Sequence, residues 1–148
     1  MTSISSMTLT SPAFADGEAI PTRFTCDGEN VSPPLAWGDV PGGTQAFVLT
    51  VRDPDAGGFV HWILGNIPGD VRELPEGQGD AMGTPGTTSF GSAGWDGPCP
   101  PSGEHRYVFT LVALSAPLAG TGNIADVLDG VEQLGIGRAE LTGVYARG

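Results

Sequence analysis

Basic residues are scarce: six Lys and Arg stand against seventeen Asp and Glu, a formal net charge of −11 over 148 residues. A field of that sign repels phosphodiester backbones and anionic bilayers, so nucleic acid is not an expected partner. There is no basic, aromatic-interleaved strip to reverse that expectation. Long apolar runs are also missing, which excludes a stable helical membrane insertion. The opening "MTSISSMTLT" has neither a basic start nor an apolar core, so it does not read as a signal peptide, and a cytoplasmic location is expected. Only two cysteines occur, Cys26 and Cys99, without metal-site spacing. They read either as two free thiols or as one bridge between distant loops. Charged residues make up only 16% of the chain, too few for a disordered segment. No Gly-x-Ser-x-Gly elbow and no Gly-Lys-Ser/Thr loop is present, which removes the commonest serine-hydrolase and nucleotide-binding signatures.

Glycine and proline are abundant, with 24 and 13 residues, and they separate short apolar runs. That pattern predicts many turns between strands in a single domain spanning residues 1–148. Alternation predicts strands over Ser6 to Thr10, around Leu35 to Trp37, and through "TQAFVLTVRD", "FVHWILGNIP", "HRYVFTLVAL" and "RAELTGVYA". Period two places Phe47, Leu49, Val51 and Asp53 on one face. It places His105, Tyr107, Phe109 and Leu111 on another. In the third run it assigns Phe59, His61 and Ile63 to one face and Val60, Trp62 and Leu64 to the other. Ile124, Val127, Leu128, Val131 and Leu134 follow helical spacing, with Asn123 as N-cap and Gly135 at the end. Glu76 to Pro101 reads as a long connection anchored by Met82, Phe90 and Trp95. The expected fold is mainly β: a two-sheet antiparallel sandwich with one short helix near the C-terminus.

The only two histidines, His61 and His105, fall with Asp53 on or beside apolar strand faces. Gathered at one end of the sandwich, they would line a small pocket. Each also has a plainer reading. Asp53-Pro54-Asp55 is a good turn sequence, His61 can be a satisfied core histidine, and Tyr107 can be a buried strand tyrosine.

In combination, "DPDA", "HW" and "GPCPPSGEHRYVFTL", preceded by "FTCDGENVSPPLAW", resemble the phosphatidylethanolamine-binding protein family, in its prokaryotic Raf kinase inhibitor-like branch, over Thr8 to Tyr145. The resemblance implies a β-sandwich with Greek-key connections. It implies a pocket for phosphate, a phosphorylated small molecule or head group, or another small anion. It carries pocket roles onto Asp53, Asp55, His61, Pro101, His105 and Tyr107, and it implies no cofactor. It brings Cys26 and Cys99 together, with a disulfide as one outcome, and it admits a homodimer. At Gly57 the sequence departs from a common family proline, which implies a looser turn. The expected mechanism has Asp53 holding a histidine, His61, in its cationic or its correct tautomeric form, with Asp55 capping the Pro54 turn or sharing a proton with the anion. His105 and Tyr107 then donate to the anion, and binding weakens as pH rises. The expectation is a binding protein rather than an enzyme. The alternatives are an inhibitor that docks a kinase or protease through the pocket rim, and a small hydrolase or lyase using Asp53, His61 and His105.

Overall fold

Alternating apolar residues at 47, 49 and 51 can be buried only if a second layer faces them, and in a computed structural model, which describes residues 4–147, a second sheet does so. The strands are β1 (Ser5–Ser6), β2 (Thr8–Thr10), β3 (Leu35–Gly38), β4 (Ala46–Asp53), β5 (Phe59–Pro68), β6 (Glu73–Leu74), β7 (Thr84–Pro85), β8 (Glu104–Leu114) and β9 (Gly135–Ala146). The large sheet runs β1-β9-β8-β4-β5-β7 and the small one β2-β3-β6. β5 and β8 flank β4 on opposite sides, so residues 69–103 cross over the sheet instead of closing a hairpin. This is the long-range connection expected of a sandwich with Greek-key connectivity.

The main core lies between the sheets. Leu9, Leu35, Trp37 and Leu74 from the small sheet meet Phe47, Leu49, Val51, Trp62, Phe109 and Leu111 from the large one. A second cluster covers the outer face: Val48, Val60, Ile63 and Val112 pack beneath Leu118 and Val127. The helix α1 (Ile124–Leu134) makes that cover, and its start is set as expected, with the Asn123 side chain accepting from the Asp126 N–H at 2.9 Å. Leu128, which helical spacing assigned to the apolar stripe, is instead 45% exposed.

Three expectations are corrected. The segment read as one strand from Ser6 to Thr10 switches sheets at Met7: Ser5–Ser6 pair with β9 and Thr8–Thr10 with β3. The β1–β9 pairing is parallel, so the large sheet is not purely antiparallel. Both follow from the sandwich closing at this edge, where one chain spans the gap between layers. The strict alternation assigned to β5 also fails. Val51 pairs with Trp62 and Arg52 with Val60, so His61 is the surplus residue of a bulge. Across it, Val60 joins the outer cluster and Trp62 the inner one, although simple parity places them together.

Candidate functional site

The end of the sandwich where β4, β5 and β8 meet holds a cavity of about 160 Å³ lined by Asp53, Ala56, Phe59, His61, Phe90, Cys99, Pro100, Pro101, His105 and Tyr107. Five of the six pocket positions implied by the sequence therefore converge there: Asp53, His61, Pro101, His105 and Tyr107. Asp55 does not. Its carboxylate turns to Arg106, accepting from the backbone N–H at 2.8 Å, from Nε at 3.1 Å and from Nη2 at 2.9 Å. That guanidinium holds the Asp55 carboxyl down at about 2. The pair braces the start of β8 against the Asp53-Pro54-Asp55 turn.

Asp53 ends β4 on the inward face, as parity predicted, and is 2% exposed. Both its oxygens are occupied. Oδ1 accepts from the Asp55 N–H at 2.8 Å, which caps the one-turn 3-10 segment Pro54–Ala56, and Oδ2 accepts from His105 Nδ1 at 2.5 Å. Asp53 thus orients His105, not His61, and it is Asp53 rather than Asp55 that caps the turn. The turn is not loose at Gly57 either. That residue sits at φ 69°, in the left-handed region that proline cannot enter, and the Gly58 N–H closes back onto the Asp53 carbonyl at 2.9 Å.

His61 is held from the other side. Its Nδ1–H donates to the Asp96 carbonyl at 2.7 Å, and its own carbonyl accepts from the Asp96 N–H at 3.0 Å. Asp96 is in turn fixed by the Thr88 and Ser92 hydroxyls, each 2.8 Å from Oδ2. The bulge lets His61 lean toward the aromatic cluster, with its ring 5.1 Å from that of Tyr107, 5.2 Å from Phe59 and 5.5 Å from Phe90. Burial pushes the His61 pKa below its ordinary value, against the partial opposition of Asp96 and Asp53. Burial thus favours the neutral ring, so of the two forms expected for it the tautomeric one is supported, with the Asp96 carbonyl rather than Asp53 fixing the tautomer. Tyr107, 1% exposed, has its pKa raised by burial and by the charge of Asp53, so its hydroxyl stays protonated. Among the described residues, neither that hydroxyl nor the Nε2 of either histidine has a protein hydrogen-bond partner.

A consequence for stability follows from the sign of the His61 shift. The unfolded chain binds a proton near pH 6.5 while the folded chain resists it, so stability is complete above that pH and falls as pH drops through the window below. Histidine-resolved NMR is expected to give His61 a titration midpoint below 6.5 and the Nδ1–H tautomer. A midpoint at or above 6.5 would contradict the assignment.

The pocket's outer wall is the segment from Asp96 to Pro101, and sequence reasoning gave it only loose anchors. A disulfide joins Cys99 to Cys26, with the Cα atoms 5.5 Å apart, so the bridged alternative holds and the free thiols do not. The Cys26 N–H donates to the Pro98 carbonyl at 3.1 Å and the Gly97 N–H to Asn30 Oδ1 at 3.0 Å. Trp95 is packed between Trp62 and Phe109, and Asp80 ties the two tryptophans together: the Trp62 indole Nε1 donates to Oδ1 at 2.7 Å and the Trp95 backbone N–H to Oδ2 at 3.2 Å, while the Trp95 indole donates to the Phe24 carbonyl at 3.2 Å. Phe90, read as an apolar anchor of the long connection, is 51% exposed at the pocket mouth. Asp96 and Asp80 carried no signal beyond their residue type, since their roles depend on long-range contacts, whereas period two had already placed Phe59 beside His61.

Comparison with known proteins agrees with this architecture. Residues 10–146 match the phosphatidylethanolamine-binding protein family profile. A UPF0098 protein of Methanothermobacter thermautotrophicus is 45% identical over 96% of this chain and 100% of its own length. Among solved structures, the homologue CT736 of Chlamydia trachomatis superposes with a TM-score of 0.89 at 35% identity, covering 97% of this chain and 99% of its own. YbcL of E. coli, described as a member of the mammalian PEBP family, gives 0.87 at 35% identity, covering 96% and 99%. By its sequence and by its fold, the chain belongs to the phosphatidylethanolamine-binding protein family.

Proposed function

We propose that this protein binds a small anion or a phosphorylated small molecule in the Asp53–His61–His105–Tyr107 pocket, and that it does so without chemistry. The observation that carries this reading is the convergence of three polar atoms on one cavity. His61 Nε2, His105 Nε2 and the Tyr107 hydroxyl all lack protein partners among the described residues, while the other side of each ring is packed or bonded. Groups held this firmly on the protein side and left open on the other are preorganised for a ligand. At about 160 Å³ the cavity is well below the range for drug-sized ligands and suits an ion or a head group. Its lining offers no serine or threonine hydroxyl, Cys99 is engaged in the disulfide, and the Tyr107 hydroxyl is held protonated. This favours binding over covalent catalysis.

Titration with phosphoethanolamine at pH 6 is expected to perturb the NMR signals of His61, His105 and Tyr107 together. Tyr107→Phe, which removes one donor and little volume, is expected to weaken binding about tenfold. No perturbation at millimolar ligand would defeat the reading, as would turnover of a phosphoester panel for its non-catalytic part.

Phe90, half exposed over the mouth, gives a specific reason to keep a second reading in which a protein partner, such as a kinase or protease, docks on the rim. A partner retained by Tyr107→Phe but lost in Phe90→Ser would favour it.

A further inference from the structure

The pocket holds more hydrogen-bond acceptors than a site for a fully ionised anion should. A backbone carbonyl can only accept, so the contact at 2.7 Å between His61 Nδ1 and the Asp96 oxygen places the ring proton on Nδ1 and leaves a lone pair on Nε2. Asp53, in the same lining, contributes a carboxylate. The titratable and charged groups around His61 come from three elements. Asp53 faces it from β4. Asp96 faces it from the 86–103 connection, with Oδ2 taken by Thr88 and Ser92. His105 and Tyr107 face it from β8. The Arg106 guanidinium points away, to Asp55, outside the lining. A dianion entering here would set its oxygens against the Nε2 lone pair with no proton between them.

We propose that the pocket selects the singly protonated form of a phosphate monoester, whose P–OH donates to His61 Nε2 while another phosphate oxygen accepts from the Tyr107 hydroxyl. This rests on the anion-binding reading above and adds to it the protonation state that the ligand must bring. Because His61 is buried and resists protonation, the proton in the complex comes from the ligand or, at higher pH, is taken up from solvent with it. The second pKa of a phosphate monoester is about 6, so the competent monoanion is a small minority at pH 7.5. A sulfate monoester carries the same single charge but no proton to donate.

The test compares methyl phosphate with methyl sulfate on the intact, disulfide-bonded protein, following the NMR signals of His61 and Tyr107. At pH 5.5 methyl phosphate is expected to bind at least about tenfold more tightly than methyl sulfate, the loss typical of an acceptor left unpaired against an anion. Between pH 5.5 and 7.5 its affinity is expected to fall about twenty-five-fold, following the monoanion population for a pKa near 6. Calorimetry at pH 7.5 in two buffers of different ionisation heat should show uptake of close to one proton per ligand. Equal affinity for the two esters at pH 5.5 overturns the proton requirement and leaves anion binding standing, as does binding at pH 7.5 without proton uptake. Failure of both esters to perturb the site overturns the anion-binding reading as well.

Discussion

Asp53→Ala is expected to cost about 3 kcal/mol of folding stability and to abolish ligand binding. The side chain is buried and both its oxygens are in use, one on the Asp55 N–H and one on His105 Nδ1. Truncation leaves two donors, the Asp55 N–H and His105 Nδ1, without their acceptor, each at a cost of up to about 1–3 kcal/mol where water does not take the place of the carboxylate. It also frees His105 to rotate and removes the cap from the Pro54–Ala56 turn, so the pocket loses its shape as well as a charge. In a domain of this size the loss corresponds to a melting temperature about 10 °C lower. Asp53→Asn separates the two effects. The amide can still accept from the Asp55 N–H, but it then turns its NH2 toward His105, which must accept on Nδ1 and move its proton to Nε2. The expected outcome is a stability loss of only about 1 kcal/mol, with the His105 tautomer reversed in long-range ¹⁵N NMR. An Asp53→Ala protein that melts within about 1 °C of the parent, or that still binds phosphoethanolamine, would remove Asp53 from the centre of the site.

The second large effect is expected from the disulfide. It ties two loops 73 residues apart in sequence, and closing a loop of that length restricts the unfolded chain by about 4 kcal/mol in the chain-entropy account. Cys26→Ser with Cys99→Ser is therefore expected to destabilise the fold by about 2–4 kcal/mol. Hydrogen bonds from Cys26 to Pro98 and from Gly97 to Asn30 remain in the variant, so the wall is expected to stay in place at room temperature and fail first on heating. Denaturant titration of the two proteins measures the difference, and coincident unfolding curves would show that the bridge adds nothing to stability.

Which parts of this were legible in the sequence depends on the range of the forces involved. Faces set by alternation within one strand were readable: Phe47 to Asp53 and His105 to Leu111 point as period two requires, because each is an unbroken ladder against its neighbour. The helix was readable from its own cap and stripe, apart from Leu128. Parity failed in β5, where register is decided by β4 and not by β5 itself. The site residues were visible because a family motif carries them, yet their pairing was not. Whether Asp53 reaches His61 or His105 depends on a bulge and on an offset between strands, neither of which any local pattern encodes. The Asp96 carbonyl could not be anticipated at all, since a backbone oxygen leaves no trace in residue type.

The surplus residue of β5 has a further meaning. Without His61, Val60 and Trp62 would be consecutive, one outward and one inward, and this half of the strand would alternate without a break. As far as the pleat is concerned, position 61 is an insertion. A chain lacking that single codon would keep its core pattern on β5, and would lose the ring that lines the pocket. Substitution at 61 probes the chemistry of the pocket, whereas deletion at 61 asks whether the sandwich ever needed the residue.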